Sequence, residues 1–163
     1  MDDLWLALRL LGVLTVANNA PIAAKLLLGP RCNRPIDSDR VFLDGRPLLG
    51  RSKTWRGLAA AIALSTLIAP ALGFGPATGA LIGALAMAGD ALANFAKRRL
   101  GVPPSGKSFG IDQLPEALLP LLVLHGPLAL HGPVIVGVTL AFVLLEPPAA
   151  RLAHRVGWRD TPY

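Results

Sequence analysis

Residues 58–89, LAAAIALSTLIAPALGFGPATGALIGALAMAG, decide the fold. These 32 residues contain no Asp, Glu, Lys or Arg, and the run exceeds the roughly 20 apolar residues that one membrane-crossing helix needs. Gly73-Phe74-Gly75-Pro76 interrupts it near the middle, and Gly and Pro are the strongest local breakers of a helical pattern. The run therefore reads as two helices, over roughly Leu58–Leu72 and Ala77–Ala96, joined by a tight turn. Gly79, Gly83 and Ala86 recur at helical spacing. Small residues so placed let two backbones approach closely in lipid, where the hydrophobic effect does not drive helices together.

Working outward, the stretch from Ala117 to Leu145 is also uncharged. It is broken by the repeated His125-Gly126-Pro127 and His131-Gly132-Pro133, which gives two more helices, over roughly Leu114–Leu130 and Val134–Ala150. The histidines stand at this turn, far from the basic loops, and read as structural. The first apolar run covers Leu4 to Leu28, with Arg9 and Lys25 close enough to its ends to snorkel into the headgroup layer. Its start, MDDLW, is acidic where a secretory signal begins with positive charge, so the run reads as a retained span. Composition agrees: 53% of residues are hydrophobic and 16% charged, against about a quarter charged in soluble domains. The expected fold is all-α, a single polytopic membrane domain over residues 1–163 with about five transmembrane helices.

The cations gather between these helices. Arg31, Arg34, Arg40, Arg46, Arg51, Lys53 and Arg56 occupy the long polar segment after the first span, Lys97, Arg98, Arg99 and Lys107 follow the third, and Arg151, Arg155 and Arg159 form a basic tail. Five crossings, with the N-terminus outside and the C-terminus cytoplasmic, put every basic cluster on the cytoplasmic side, as the positive-inside tendency requires. A net charge of +6 would suggest nucleic acid in a soluble protein. Here no aromatic residues interleave with the cations, so lipid headgroups and nucleotide phosphates are the expected partners and nucleic acid is not. Cys32, the single cysteine, cannot form an internal disulfide and lacks metal-ligand spacing.

Polar chemistry is confined to a few places in the apolar frame. Asp90, Asn94 and Lys97 fall at i, i+4 and i+7 and share one helix face, and Asp112 and Glu116 repeat the i, i+4 spacing. An ionisable side chain at the depth of Asp90 is costly and marks a functional position by default. Two carboxylate-bearing helix ends joined by cations suit a divalent ion carrying phosphates, because Mg²⁺ prefers one or two carboxylates plus substrate oxygens. Asn18 and Asn19, beside Pro21, read either as helix–helix contacts or as ligand contacts. Glu146 reads either as a cavity-lining carboxylate or as one that snorkels. In the polar segment Asp44-Gly45-Arg46 and Gly50 to Thr54 read as turns. Lys53 and Arg56 are aimed at an anion before the next helix, whose first N–H groups favour phosphate. The Gly-x-x-x-x-Gly-Lys frame of a Walker A loop is absent.

Taken in order, Ala17-Asn18-Asn19-Ala20-Pro21, Pro35-Ile36-Asp37, Asp44-Gly45-Arg46, Gly50, Lys53-Thr54-Trp55-Arg56-Gly57, Gly89-Asp90, Lys97-Arg98-Arg99-Leu100-Gly101 and Asp112-Gln113-Leu114 resemble the CDP-archaeol synthase family. These are membrane CTP-dependent cytidylyltransferases, more distantly related to CDP-diacylglycerol synthases. The resemblance implies attack by a lipid phosphate oxygen on the α-phosphorus of CTP, with release of pyrophosphate and formation of a CDP-lipid for phospholipid biosynthesis in the cell membrane. The implied acceptor is of the 2,3-bis-O-geranylgeranylglycerol 1-phosphate type. The implied catalytic residues are Asp90, Asp112 and Lys97, with Asp90, Asp112 and Glu116 holding Mg²⁺. Asn18, Asn19, Asp44, Arg46, Lys53, Thr54, Arg56, Asn94 and Arg98 are the implied substrate and CTP contacts.

The chain departs from the family pattern at one place. Where that pattern reads Asp-Gln-Leu-Asp, this sequence has Asp112-Gln113-Leu114-Pro115 followed by Glu116, and a shift of one position turns a side chain about 100° around a helix. The alternatives are the same chemistry on phosphatidic acid or a polyprenyl phosphate, and a catalytically silent homologue that acts as a lipid-binding scaffold. The oligomeric state stays open, a homodimer included.

Overall fold

The computed structural model describes residues 3–102 and 110–159; Lys107 lies outside them. Among the described residues five α-helices form, α1 (Asp3–Leu28), α2 (Trp55–Ile68), α3 (Pro76–Arg99), α4 (Gln113–Val123) and α5 (Gly132–Arg155), with a 3₁₀ turn, Ala69–Leu72, extending α2. No strand forms among the described residues. Two isolated bridges, Pro35 with Thr54 and Val41 with Pro47, tie together the polar segment after α1.

Local chemistry sets the helix ends. The Thr54 hydroxyl accepts a hydrogen bond from the Gly57 N–H at 3.1 Å, satisfying one of the free donors at the start of α2. Gly73 takes a left-handed conformation, φ +77°, and Pro76 opens α3, where its missing N–H costs nothing. The hairpin expected from residues 58–89 is therefore present, and its small residues have the expected use. A Cβ on Gly79 would lie 2.3 Å from the Ser65 carbonyl oxygen, and one on Gly83 would lie 2.7 Å from that of Ala61. Gly89 does for α4 what these two do for α2: its Cβ would sit 2.1 Å from the Pro115 carbonyl oxygen.

α2 packs against α1 and α3, α3 against α4, and α5 closes against α1 and α4. The apolar core occupies one end of this bundle, where Leu10, Val13 and Leu14 of α1 meet Ile82, Leu121, Val138 and Phe142. Arg9 lies over the Trp5 ring at that end, 5.4 Å from its centroid, and reaches Gly73, so the start of α1 neighbours the α2–α3 turn. Outward-facing leucines such as Leu67, Leu81, Leu140 and Leu144 are exposed, as surfaces that meet lipid should be.

Among the described residues four stretches are long and apolar enough to cross a membrane: Asp3–Leu28, Trp55–Leu72, Pro76–Arg99 and Gly132–Arg155. The expected fourth span, Leu114–Leu130, needs correction. Its helix stops at Val123 after 11 residues, about 16 Å at 1.5 Å per residue, well short of a bilayer core of about 30 Å. Two features end it. Pro127 has no N–H to donate back along the chain and disfavours the helical conformation at Gly126, and residues 124–130 fold instead into turns held by Leu128 N–H to Leu124, Ala129 N–H to Gly126 and Leu130 N–H to His125. Leu130 is folded back into the core.

Candidate functional site

Opposite the apolar core, a cavity of about 360 Å³ opens among α1, α3, α4, the end of α5 and the segment before α2. Among the described residues its walls carry four cations, Lys25, Lys53, Lys97 and Arg159, and four carboxylates, Asp90, Asp112, Glu116 and Glu146. Charges this enclosed persist only when paired, and three pairs form between different segments. Lys53 pairs with Asp90. Lys97 Nζ lies 2.6 Å from Asp112 Oδ1 and donates to Oδ2 at 2.9 Å. Arg159 Nη1 donates to Glu146 Oε1 at 2.8 Å.

Each member is placed by its element. The i, i+4 spacing on α3 lets Asn94 donate to both the carbonyl and Oδ1 of Asp90, at 2.8 and 3.1 Å, and one turn further Lys97 reaches Asp112 at the start of α4. The Gly89 crossing brings α4 against α3 just beside Asp90, and Glu116 enters the cavity wall there, 3% exposed. Asn18 Nδ2 donates to both of its carboxylate oxygens, at 2.8 and 2.9 Å. The Pro115 shift therefore does not turn Glu116 away from the site.

Lys53 is delivered by a folded loop. The Ile36 N–H bonds to the Lys53 carbonyl at 2.8 Å, and the Asp37 carboxylate accepts from the N–H groups of Leu49 and Gly50, both at 2.9 Å, and of Asp39 at 3.2 Å. Burial pushes the Asp37 carboxyl up, but these N–H donors outweigh it and hold it below its ordinary value.

Six of the expected contacts lie outside this cavity. Arg46 donates to the last carbonyls of α3, Arg98 at 3.1 Å and Arg99 at 2.7 Å. Asp44 accepts from Arg99 at 2.6 Å, and Arg99 stacks on Phe42 and Phe95. Arg56 donates to the carbonyls of Gly29 and Arg31, at 2.6 and 2.9 Å, just past the end of α1. Here cations serve helix C-termini, where free carbonyls and the negative dipole end attract them. Thr54 is occupied as the α2 cap and lines a small side recess beside Lys53. Arg98 is buried in the last turn of α3, and Asn19 donates to the Thr15 carbonyl at 2.8 Å and lines a neighbouring hollow between α1 and α5.

Several cavity residues escaped the sequence, among them Lys25, read there only as snorkelling, Ser52, Gln113, which donates to Glu146 at 2.8 Å, and Trp158 and Arg159 from the tail. Gln113 was within reach as the neighbour of Asp112. The return of the tail has no local signature.

Among the described residues no three His, Cys, Asp or Glu side chains stand close enough to hold one metal ion, so Asp90, Asp112 and Glu116 are not a preassembled cage. The donor chemistry still fits a hard cation that arrives with phosphates, since such an ion takes one or two carboxylates and fills its shell from substrate and water. The arrangement can exchange its internal ion pairs for a polyphosphate on the lysines and a cation on the aspartates.

Comparison with known proteins follows the same lines. A family model described as CarS-like, CDP-archaeol synthase, matches residues 4–75. The chain is 35% identical over 149 residues to a CDP-archaeol synthase of Pyrobaculum calidifontis, covering 88% of this chain and 86% of that one. It is 34% identical over 154 residues to another from Hyperthermus butylicus, covering 90% and 89%. A solved structure of an intramembrane enzyme for archaeal membrane lipids biosynthesis superimposes with a TM-score of 0.65 at 32% identity, covering 88% of this chain and 91% of the other.

Proposed function

We propose that this chain, which belongs to the CDP-archaeol synthase family, is a CTP-dependent cytidylyltransferase that converts an archaeal lipid phosphate to its CDP-lipid. The acceptor is of the 2,3-bis-O-geranylgeranylglycerol 1-phosphate type, and the enzyme is a multi-pass protein of the cell membrane. The observation that carries this reading is the pair of lysine–aspartate bridges, Lys53 with Asp90 and Lys97 with Asp112, in one cavity at the charged end of an apolar bundle.

In the reaction a phosphate oxygen of the lipid forms a bond to the α-phosphorus of CTP. The bond from that phosphorus to the bridging oxygen breaks, and pyrophosphate leaves with the electron pair. The attacking oxygen is already ionised near neutral pH, so no strong general base is needed; the difficulty is bringing anions together. Lys53 and Lys97 leave their aspartates and bind the nucleotide phosphates, neutralising charge that grows on the leaving pyrophosphate. Asp90 and Asp112, with Glu116 beside them, would hold Mg²⁺, which supplies further neutralisation and orients the phosphates. Asn94 fixes the rotamer of Asp90, and Asn18 fixes that of Glu116.

The basic segments and the cavity lie at the cytoplasmic face, with the N-terminus outside, so that CTP enters from water; α4 and the turns over residues 124–130 together carry the chain back from the cavity to the apolar end where α5 begins. What supports this orientation is that Arg9, Trp5 and the α2–α3 turn share one end of the bundle while Lys25, Lys53 and Lys97 share the other. The test is to incubate the purified protein with radiolabelled CTP, Mg²⁺ and a panel of lipid phosphates. Label in the ether-isoprenoid lipid is expected; label only in phosphatidic acid or a polyprenyl phosphate, or in none, would overturn the assignment.

A further inference from the structure

The polar segment after α1 carries a small hairpin over residues 40–48. The Leu48 N–H donates to the Arg40 carbonyl at 2.9 Å and the Phe42 N–H to that of Arg46 at 2.8 Å, and the Gly45 N–H closes the tip on the Phe42 carbonyl at 2.9 Å. The polar side chains of the tip are spent on the end of α3. Arg46 donates to the carbonyls of Arg98 and Arg99, while Arg99 donates to Asp44 and, at 2.8 Å, to the Pro47 carbonyl. The Phe42 ring meets Phe95 of α3 edge-on, with centroids 5.3 Å apart. What the hairpin turns outward is apolar: Leu43 is 97% exposed and Val41 66%, next to an exposed Arg40.

We propose that Val41, Phe42 and Leu43 insert into the boundary between lipid headgroups and chains at the charged end of the bundle, and so moor the segment that delivers Lys53 to the bilayer beside α3. Three physical arguments support it. The first is depth. Phe95, which Phe42 touches, lies four residues before the last residue of α3, about 6 Å inside that end of the helix, in a stretch apolar enough to span a membrane. Leu92, three residues earlier and on the same face, is exposed as lipid-facing leucines are. The second is composition. Single exposed leucines are ordinary, but three consecutive apolar side chains, one aromatic, flanked by Arg40 and backed by Arg99, match the interfacial layer, where rings partition and cations meet anionic headgroups. The third is connection. The N–H groups of Leu49 and Gly50, just past the hairpin, bind Asp37, and Ile36 beside it binds the Lys53 carbonyl, so the hairpin and Lys53 belong to one folded unit. The proposal rests on membrane embedding and does not depend on which reaction the cavity performs.

The test places a fluorophore sensitive to its surroundings on Leu43→Cys and, for comparison, on Arg51→Cys, each in a Cys32→Ser background and in nanodiscs of anionic lipid. Arg51 is exposed in the same segment. At position 43 emission should shift to the blue, a nitroxide carried on the lipid should quench it, and aqueous iodide should lose access; position 51 should show the reverse. Equal iodide access at the two positions overturns the proposal. So does shielding of position 43 from iodide without quenching by the lipid nitroxide, which would place a second copy of the chain on the hairpin. The mooring is read separately with Leu43→Asp and Leu43→Phe. In the same nanodiscs trypsin should cut after Arg40 about threefold or more faster in Leu43→Asp, and Leu43→Phe should match the unaltered protein. Cleavage of Leu43→Asp at the unaltered rate overturns the mooring. None of these readouts uses CTP, so a protein that inserts its hairpin yet forms no CDP-lipid would leave this surface standing and sink the reaction assigned above.

Discussion

α1 carries Leu10, Val13 and Leu14 through one end of the bundle and Asn18 through the other, and α3 likewise changes from Ile82 and Ala86 to Asp90, Asn94 and Lys97. In the first half contacts are non-directional and any well-shaped apolar neighbour serves. In the second each charged group depends on a particular atom of another segment. The difference separates two tasks along the same helices. The apolar half can hold the bundle while the polar half changes partners, which the proposed exchange of ion pairs for substrate phosphates requires.

The largest effect expected from disturbing this division is on turnover. Asp90→Asn keeps the side-chain volume and leaves the apolar half untouched, so the protein should elute as a folded species from size exclusion while cytidylyl transfer falls by about a hundredfold or more. If the variant kept normal turnover, the polar half would not be the reacting one.

Leu14→Ala is the mirror experiment. Leu14 is 1% exposed, and truncating a buried leucine costs about 2–5 kcal/mol; thermal unfolding in detergent should report that loss while the folded fraction retains its kcat. Gly89→Ala should blur the two halves. Its Cβ has no room against Pro115, so about 1–3 kcal/mol of stability and part of the activity should fall together, measurable as a lower Tm alongside a lower kcat.

The smallest effect lies in the loop that presents Lys53. The folded-state pKa of Asp37 is depressed, so its contribution is complete above the unfolded value of about 3.9 and is lost as pH falls through the lower folded value. Limited proteolysis of residues 29–54 should therefore accelerate below about pH 4, and Asp37→Asn should flatten that dependence.

What the sequence disclosed follows from the same contrast. Long uncharged runs and their Gly-Pro breaks suffice for α1, α2, α3 and α5, because length in lipid is a one-dimensional property. α4 was overextended because apolar residues 124–130 satisfy that criterion while folding as turns. Within the cavity Asp90, Asn94, Lys97, Asp112 and Glu116 were legible as polar positions spaced on helices. Arg46 and Arg56 lie outside the cavity for a physical reason: sequence shows a cation near a helix, but not which helix end it will meet after folding. Arg56 sits in the first turn of α2 and yet serves the end of α1. Arg159 was invisible as a site residue because its partners, Glu146 and Asn18, are fixed only by tertiary packing.

The contact at Gly89 also fixes a distance. With no Cβ to hold them apart, α3 and α4 meet main chain to main chain beside Asp90 and Glu116, while Leu121 further along α4 is packed into the apolar core. The separation of the two carboxylates is thereby set by the closest approach of two backbones, which has far less latitude than a contact between side chains that can change rotamer.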